Sequence, residues 1–291
     1  MIAPRNDDYD AAFRIGDVVR VIERELHGIV SIRSAVCDAQ IALQGAQILS
    51  WRPKGQADLL WCAALPPAQA GKAIRGGIPV CWPWFGPHAS NARLPQHGLV
   101  RTIDWRLIAT EMRSDDVHVV FETTAETTEL RMAITVGARL SLELSTRNVS
   151  AHPLAITEAL HTYFRVGDVR LIGIHGLDGC RYRDNADGGK DKVFTGVMSM
   201  TRETIALFDV APEAAEIEDP VLGRRISILR HGGRSTIAWH PGANAATFND
   251  VVPGAEKNFV CVESGNIGSS GIVIAPGEVH RLAVRYEIVA L

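Results

Sequence analysis

The chain has 291 residues, of which 46% are hydrophobic and 22% are charged, and its formal net charge is −3 at pH 7. Such a chain is typical of a soluble globular protein and can bury roughly three quarters of its unfolded surface in one domain or two closely packed ones. Charges of both signs are mixed without a run of five like charges, which argues against binding to nucleic acid or to a membrane surface. We expect a single domain over residues 1–291.

The cysteines and the N-terminus indicate a reducing compartment. The cysteines are an odd number without a Cys-x-x-Cys pair: Cys37, Cys62, Cys81, Cys180 and Cys261. The opening residues, "MIAPRNDDYDAAFRIGD", are too acidic and polar for a secretory signal. No apolar stretch approaches the ~18 residues that a membrane span needs. We therefore expect a cytoplasmic protein.

Residues 73–105, "AIRGGIPVCWPWFGPHASNARLPQHGLVRTIDW", combine three arginines, two histidines and three tryptophans with many glycines and prolines. A segment of this composition is costly to order, and rigid aromatic rings beside Arg and His favour a walled polar pocket. The alternative is an aromatic plug that closes one end of the sheets.

Alternation of period two is the clearest regular pattern in the chain. In "LRMAITVGARLSLELS", apolar residues occupy every second position from Leu130 to Leu144. Because one strand of that length is unusual, we expect Gly137 to mark a bend between two strands. The same pattern returns at the C-terminus from Leu282 to Ile288. Shorter strands are predicted at residues 117–123, 225–231, 235–240 and 258–264.

The segment "EALHTYFRVGD", residues 158–168, places a histidine inside a predicted strand. Alternation puts Leu160 and Phe164 on one face and His161 and Tyr163 on the other. A single strand histidine is often structural, so this alternative stands until a partner is found. Glu158 and His161 have the spacing of helical di-iron ligands, but in a strand they point to opposite faces, and we expect no metal site.

Helical periodicity is weak throughout, and the βαβ alternation of a nucleotide-binding sheet is absent. These observations predict an all-β fold of mostly antiparallel sheets, arranged as one large sandwich. The acidic residues 208–223, "FDVAPEAAEIEDPVLG", are interpreted as an exposed connection within the domain.

Motifs of several common enzyme classes are missing. Residues 184–192, "DNADGGKDK", lack the first glycine and the Ser/Thr of a phosphate-binding loop, and residues 265–271, "GNIGSSG", are more typical of a turn than of a dinucleotide fingerprint. The sequence contains neither G-x-S-x-G nor H-E-x-x-H, which argues against a serine or zinc hydrolase.

Five segments in a fixed order resemble the hexose-6-phosphate mutarotase branch of the aldose 1-epimerase superfamily: "IRGGIPVCWPWFGPH", "LPQHGLVR", "ALHTYFRVGD", "GLDGCRY" and "FVCVESG". The match extends over about residues 13–290, and "GAQILSW", which begins at residue 45, gives weaker support. The resemblance implies a single galactose-mutarotase-like β-supersandwich with a sugar site in the cleft of one concave sheet.

The resemblance supplies a partner for His161. It implies that His161 is the general acid and that Glu263, in "CVESG", is the general base. Exchange of anomers requires removal of the C1 hydroxyl proton and donation of a proton to the ring oxygen, so that the ring opens, C1 turns and the ring closes on the other face. A nearby carboxylate can favour the charged imidazole that a proton donor needs. This chemistry requires no cofactor and no metal.

Four further residues gain roles from the resemblance. His97 matches a position that holds the sugar near its reacting end, and Asp250 is a further candidate for substrate binding. Arg75 and Arg101 match arginines that face the substrate phosphate, and planar guanidinium groups suit a phosphate dianion. The alternative for each arginine is a structural role, in which it binds loop carbonyls.

The chain departs from the pattern of the family at two places. Ile205 and Ala206 stand where the family has an acid and a base in Glu-Thr-Asp-Arg, so a contact to a sugar hydroxyl or to phosphate is expected to be missing. Residues 239–241 read Trp-His-Pro where the family has Trp-Asn-Pro, which changes one rim of the site.

The sequence thus predicts a cofactor-independent mutarotase of an aldohexose 6-phosphate, present as a monomer or weak homodimer. One alternative is a mutarotase of free or otherwise modified aldoses. The other is a carbohydrate-binding or sensing protein that retained the cleft and lost turnover. An intact acid and base pair argues against the last alternative, because binding alone does not require it.

Overall fold

A computed structural model of the chain describes residues 6–24, 27–63 and 71–291. Strands dominate these ranges, and their one α-helix, α1 (Asn6–Phe13), is too short and too polar to cross a bilayer. The strands in chain order are β1 (Val19–Arg24), β2 (His27–Arg33), β3 (Cys37–Ala42), β4 (Ile48–Pro53), β5 (Val80–Cys81), β6 (Arg106–Arg113), β7 (Asp116–Ala125), β8 (Thr128–Val136), β9 (Leu140–Asn148), β10 (Leu154–Ile156), β11 (Glu158–Leu160), β12 (Tyr163–Arg165), β13 (Gly173–His175), β14 (Arg181–Asp184), β15 (Asp191–Val193), β16 (Thr204–Phe208), β17 (Ala214–Asp219), β18 (Arg224–His231), β19 (Ser235–His240), β20 (Phe259–Asn266), β21 (Ile272–Ile274) and β22 (Val279–Ala290). Short 3₁₀ helices span Val100–Thr102, Asn185–Asp187, Gly242–Thr247, Ala255–Asn258 and Gly268–Ser270.

Two large antiparallel sheets form the body of the molecule. Sheet I has the order β15-β14-β16-β19-β20-β11-β5, and β12 also pairs with β20. Sheet II has the order β13-β17-β18-β22-β9-β8-β7-β6. Strands β1 to β4 form a four-stranded meander, and β10 pairs with β21. This architecture confirms the prediction of an all-β fold with mostly antiparallel sheets.

The two faces of sheet I have different roles. Even-numbered residues of its central strands, among them Phe208, Ala238 and Val262, pack with apolar residues of sheet II in the main core. Odd-numbered residues of the same strands, such as Leu207 and Ile237, line a cavity on the opposite face. Because successive side chains in a strand point to opposite faces, the same strands build both the core and the cavity.

The strands that the alternation predicts are present in the structure. The long apolar repeat is divided between β8 and β9, and the backbone N–H of Gly137 donates to the Arg139 carbonyl (3.0 Å) in the connecting turn. Strands β7, β18, β19, β20 and β22 cover the other predicted segments. The bend expected at Gly137 is therefore confirmed.

The interpretation of residues 208–223 as an exposed connection is wrong, because strand β17 lies inside this segment. Ile217 and Asp219 are fully buried. Glu216 and Glu218 point outward and form ion pairs with Arg225 on the adjacent strand β18 (3.0 and 3.2 Å). The acidic residues that suggested a solvated loop are thus the outer face of a paired strand.

A buried arginine connects both large sheets to the meander. Arg224 on β18 is 1% exposed. Its guanidinium donates to the carbonyl of Arg165 on β12 (2.7 Å) and to the carbonyls of Ala57 and Asp58, which follow β4 (3.0 and 3.1 Å). Three carbonyl groups from two other parts of the fold therefore accept hydrogen bonds from one buried side chain.

Candidate active site

A cavity of about 590 Å³ opens on the face of sheet I that is turned away from the core. This volume is within the range of small-molecule sites. Every residue proposed from the sequence as catalytic or substrate-binding lines it. The full lining is Ala73, Ile74, Arg75, Pro79, Phe85, Gly86, Pro87, Gln96, His97, Arg101, His161, Tyr163, Asn185, Ile205, Leu207, Ile237, Trp239, Phe248, Asp250 and Glu263.

The segment 73–105 combines the two roles considered for it. Trp82 and Trp105 are buried in the main core. Phe85 and Gln96 belong to the cavity wall. The segment is therefore anchored by Trp82 and Trp105 and contributes other side chains to the cavity wall.

His161 and Glu263 meet at the floor of this cavity. His161 lies between β11 and β12, where the predicted strand is interrupted, and its backbone N–H donates to the Pro79 carbonyl (2.9 Å). Glu263 lies on the adjacent strand β20. Nε2 of His161 is 3.4 Å from Oε1 of Glu263, and the two residues are only 7% and 1% exposed. The structure thus brings together two residues that are far apart in sequence.

The pair retains unused hydrogen-bonding capacity. Within the described residues, Nδ1 of His161 and Oε2 of Glu263 have no hydrogen-bond partner, although both atoms are buried. Buried polar groups with a purely structural role are nearly always satisfied. The pair is therefore not self-satisfied, as the structural alternative for His161 supposes, and the two atoms remain available to a ligand.

Burial controls the protonation of the pair. It lowers the pKa of His161 well below the ordinary value of 6.5, and the neighbouring His97 and Arg101 act in the same direction. Burial also raises the pKa of Glu263 well above 4.5, against the opposing charge of Arg101. Both shifts favour the neutral forms of the two side chains. They act against the effect expected from the sequence, in which a nearby carboxylate favours the charged imidazole.

Aromatic rings fix the orientation of the imidazole. His161 stacks on Tyr163, with ring centroids 4.8 Å apart and planes at 10°. The rings of His97 and Trp239 stand edge-on to it, at 5.4 and 5.9 Å. Contacts on several sides leave the ring little rotational freedom, as a positioned proton-transfer group requires.

Two hydrogen bonds with Gly86 hold His97 in an uncommon backbone conformation. Its backbone has a φ of 66°, in the left-handed region. The N–H of His97 donates to the Gly86 carbonyl (2.7 Å), and the N–H of Gly86 donates to Nδ1 of the imidazole (3.2 Å). Burial, assisted by the charge of Arg101, lowers the pKa of His97 to about 3. The ring is therefore neutral, with its hydrogen on Nε2, and can donate to a ligand.

Arg75 is oriented by two neighbours. Its Nε donates to both carboxylate oxygens of Asp250 (2.8 and 2.9 Å), and its guanidinium carbon lies 4.2 Å from the centroid of the Phe248 ring. Within the described part of the chain, the two Nη groups make no hydrogen bond. Asp250, expected to contact the substrate, thus has its carboxylate directed at Arg75.

Arg101 both binds a loop carbonyl and lines the cavity. It belongs to the 3₁₀ helix Val100–Thr102, and its Nη2 donates to the carbonyl of Gln96 (2.8 Å). The residue nevertheless lines the cavity. The structural alternative considered for the arginines therefore applies in part to Arg101 and not to Arg75, whose guanidinium binds a carboxylate.

The two departures from the family pattern have separate effects. Ile205 lines the cavity next to Leu207 and Ile237, so this wall is apolar, whereas Ala206 points into the core. Trp239 lines the cavity, but His240 points away from it, and its Nε2 contacts the Glu256 carbonyl (2.9 Å). A basic side chain at position 206 would not reach a ligand from this strand.

Sequence reasoning missed several residues of the cavity. Tyr163 was on the same predicted face as His161, and this alternation was the signal that could have identified it. Asn185 follows β14 in a 3₁₀ helix, and the surrounding "DNADGG" indicates only a turn. Phe248 lies two residues before Asp250 and has no periodic signal around it. Cys261, beneath the cavity, completes with His161 and Glu263 a set of potential metal ligands.

Comparison with known proteins gives a consistent result. The family model described as aldose 1-epimerase matches residues 28–287. A relative from Salmonella typhimurium, named "Putative glucose-6-phosphate 1-epimerase", is 36% identical over 238 residues, which cover 78% of this chain and 79% of the relative. A relative of the same name from Escherichia coli is 35% identical over 237 residues, with the same coverage. The crystal structure of a "putative mutarotase" from Salmonella typhimurium aligns with a TM-score of 0.89 at 29% identity and covers 96% of each chain.

Proposed function

Because the chain belongs to the aldose 1-epimerase family, we propose that it interconverts the α and β anomers of an aldohexose 6-phosphate of the glucose 6-phosphate type. Membership of this family makes the protein an isomerase that acts on a sugar. The proposed 6-phosphate is supported by the names of the two bacterial relatives and by the arginines of the cavity.

The observation that carries the proposal is the buried pair of His161 and Glu263, at 3.4 Å, with an unsatisfied atom on each side chain. Opening a sugar ring requires one group that accepts the C1 hydroxyl proton and one that donates to the ring oxygen. Two adjacent groups that hold one proton between them meet this need.

The proton has to change place when the sugar binds. Before the sugar binds, burial favours the protonated form of Glu263. A C1 hydroxyl that donates to Glu263 favours the ionised carboxylate, because hydrogen bonds to a charged form stabilise that form. The proton then passes to His161, which donates it to the ring oxygen while Glu263 takes the hydroxyl proton. Closure of the ring on the other face of C1 reverses both transfers and restores the pair.

Arg75 is the proposed phosphate ligand. Asp250 and Phe248 hold the guanidinium by its Nε and its face, so the Nη groups remain available for a phosphate oxygen. Arg101 contributes a second positive charge to the cavity, and His97 a neutral donor for a sugar oxygen. Interactions with a group remote from C1 position the sugar without taking part in proton transfer.

We further propose that the chain acts as a single cytoplasmic domain, as a monomer or weak homodimer, and uses no cofactor. The continuous core shared by both large sheets supports a single domain. Cys37, Cys81, Cys180 and Cys261 are free thiols, as is usual in a reducing compartment. The proton transfers described above are complete without a metal or a redox group.

Exchange NMR tests the proposal directly. The α and β H1 signals of glucose 6-phosphate and of glucose are followed with and without the protein, at equal substrate concentration. We expect faster exchange for both sugars and a preference for the phosphorylated one. Equal acceleration of both would assign the enzyme to free or otherwise modified aldoses, and no acceleration of either would favour a binding protein.

A further inference from the structure

We propose that the floor of the cavity is also a site for Zn²⁺, held by His161, Cys261 and Glu263, and that the bound ion inhibits the enzyme. The three residues are buried, and their ligand atoms all lie within 4.8 Å of one another. The sequence separates them into two segments, which pair side by side in sheet I. Only the strand register makes them neighbours.

The spacing of two of the ligand atoms already suits the ion. Nε2 of His161 and Oε1 of Glu263 are 3.4 Å apart. In tetrahedral coordination, with metal–ligand distances near 2.0–2.2 Å, nitrogen and oxygen ligands stand about 3.3 Å apart. The Cys261 sulfur needs to approach by at most about 1.3 Å to reach the corresponding separation of about 3.5 Å. Rotation of one side-chain torsion angle moves a cysteine sulfur on this scale.

The donor set favours zinc over harder ions. One imidazole, one thiolate and one carboxylate are ligands that Zn²⁺ accepts together, whereas Mg²⁺ prefers oxygen ligands alone. Binding releases the protons of Cys261 and Glu263, and the two negative charges that result offset the ion. Arg75 and Arg101 oppose a cation here, so this compensation is necessary. With three protein ligands, the fourth position faces the cavity and is open to water.

Inhibition follows from which atoms the ion occupies. A metal that holds Nε2 of His161 and a carboxylate oxygen of Glu263 removes the two atoms that exchange protons with the sugar.

Direct metal binding tests the proposal without reference to turnover. Co²⁺ is added to the metal-free protein, and the thiolate-to-metal charge-transfer absorption is recorded for wild type, Cys261→Ala, Cys261→Ser and Cys81→Ala. Cys81 provides the matched control, because it is also buried in sheet I but is not among the three ligands. We expect one band of 1:1 stoichiometry, which Zn²⁺ removes, in wild type and Cys81→Ala, and none in either Cys261 variant.

The kinetic test compares Zn²⁺ and Mg²⁺ as inhibitors of anomer exchange, with each variant scaled to its own metal-free rate. This second readout rests on the proposed function, whereas the absorption does not. Removal of a residue that only hydrogen-bonds to a metal ligand typically weakens metal binding 10- to 100-fold. Because Cys261 is proposed as a ligand itself, the Zn²⁺ inhibition constant should rise at least about tenfold in Cys261→Ala. Absence of a Co²⁺ band in wild type, or a band that survives Cys261→Ala, would refute the site. Equal zinc sensitivity of wild type and Cys261→Ala would refute the inhibitory role.

Discussion

His161 and Glu263 are residues whose chemistry depends on burial beside each other. Replacement of His161 by Ala or of Glu263 by Gln removes one of the two proton carriers. Each change should lower kcat by roughly 10²- to 10⁴-fold, the usual contribution of a positioned acid or base. Exchange NMR on folded variants, checked by circular dichroism, measures the effect.

The chain contains a matched control for this experiment. The buried Glu158 and the partly buried His280 form a second pair, with Oε1 of Glu158 2.8 Å from Nε2 of His280, outside the cavity lining. His280→Gln should therefore reduce stability without a comparable loss of kcat. A His161→Ala variant that exchanges anomers at a near-normal rate would remove His161 from the mechanism.

The protonation of His161 leads to a second prediction at this scale. The folded-state pKa is depressed, so the ring stays neutral as the pH falls through 6.5 and gains its proton only well below that value. The ring signals of His161, assigned by comparison with His161→Ala, should show no titration step between pH 6 and 7 in the empty enzyme. The urea-unfolded chain is the control, since its histidines titrate near 6.5. A titration midpoint near 6.5 in the folded protein would show that burial does not lower the pKa of His161.

Arg75 should control discrimination between phosphorylated and free sugar. A charge-assisted hydrogen bond contributes about 1.5 to 3 kcal/mol, so Arg75→Ala should lower kcat/KM roughly ten- to a hundredfold for glucose 6-phosphate and leave glucose nearly unchanged. Asp250→Asn should cause a smaller loss of the same kind, because it only loosens the guanidinium. Arg131→Ala, on sheet II, serves as the control. An equal loss on both sugars would mean that Arg75 shapes the loop instead.

At the scale of elements, one glycine holds the loop that carries His97 against β5. Gly98 has a φ of 82°, and an added Cβ would lie 1.9 Å from the carbonyl oxygen of Trp82. Gly98→Ala should therefore lower the free energy of unfolding by roughly 3 kcal/mol or more. Gly55→Ala separates the cost of a positive φ from the cost of the steric clash, because Gly55 also has a positive φ but has open space around it. This substitution should lower the free energy of unfolding by only about 1–2 kcal/mol. Urea unfolding measures both, and similar losses would contradict the steric explanation.

The elements also show what the sequence can and cannot predict. Period-two alternation identified the long strands, because one face of each is buried and the pattern records burial directly. It failed for β17, where outward Glu216 and Glu218 make a strand resemble a solvated loop. The contact of His161 with Glu263 follows from strand register and not from local pattern, so only the family resemblance suggested it. The charge of His161 could not be foreseen, because it depends on burial from all sides.

At the scale of the whole molecule, Arg224 should contribute more to the free energy of unfolding than a surface ion pair does. Arg224→Met removes the donor to the carbonyls of Ala57, Asp58 and Arg165 and should lower the free energy of unfolding by about 2 kcal/mol or more. Arg225→Met, at the next and half-exposed position, should change it by no more than about 0.5 kcal/mol. Chemical denaturation gives both values. Activity per folded molecule should be retained in Arg224→Met, and comparable losses of stability in the two variants would contradict this role.

The alternation of sheet I has a consequence for how such proteins diversify. Positions 205, 207, 237 and 239 face the cavity, while positions 206, 208, 236 and 238 face the opposite side of the sheet. A mutation at an odd-numbered position changes what the cavity recognises and leaves the packing between the sheets as it was. Ile205 is an example, since its side chain lines the cavity while the adjacent Ala206 lies in the core. Substrate preference can therefore drift over evolutionary time, or be redirected in the laboratory, while the scaffold remains under independent selection for folding.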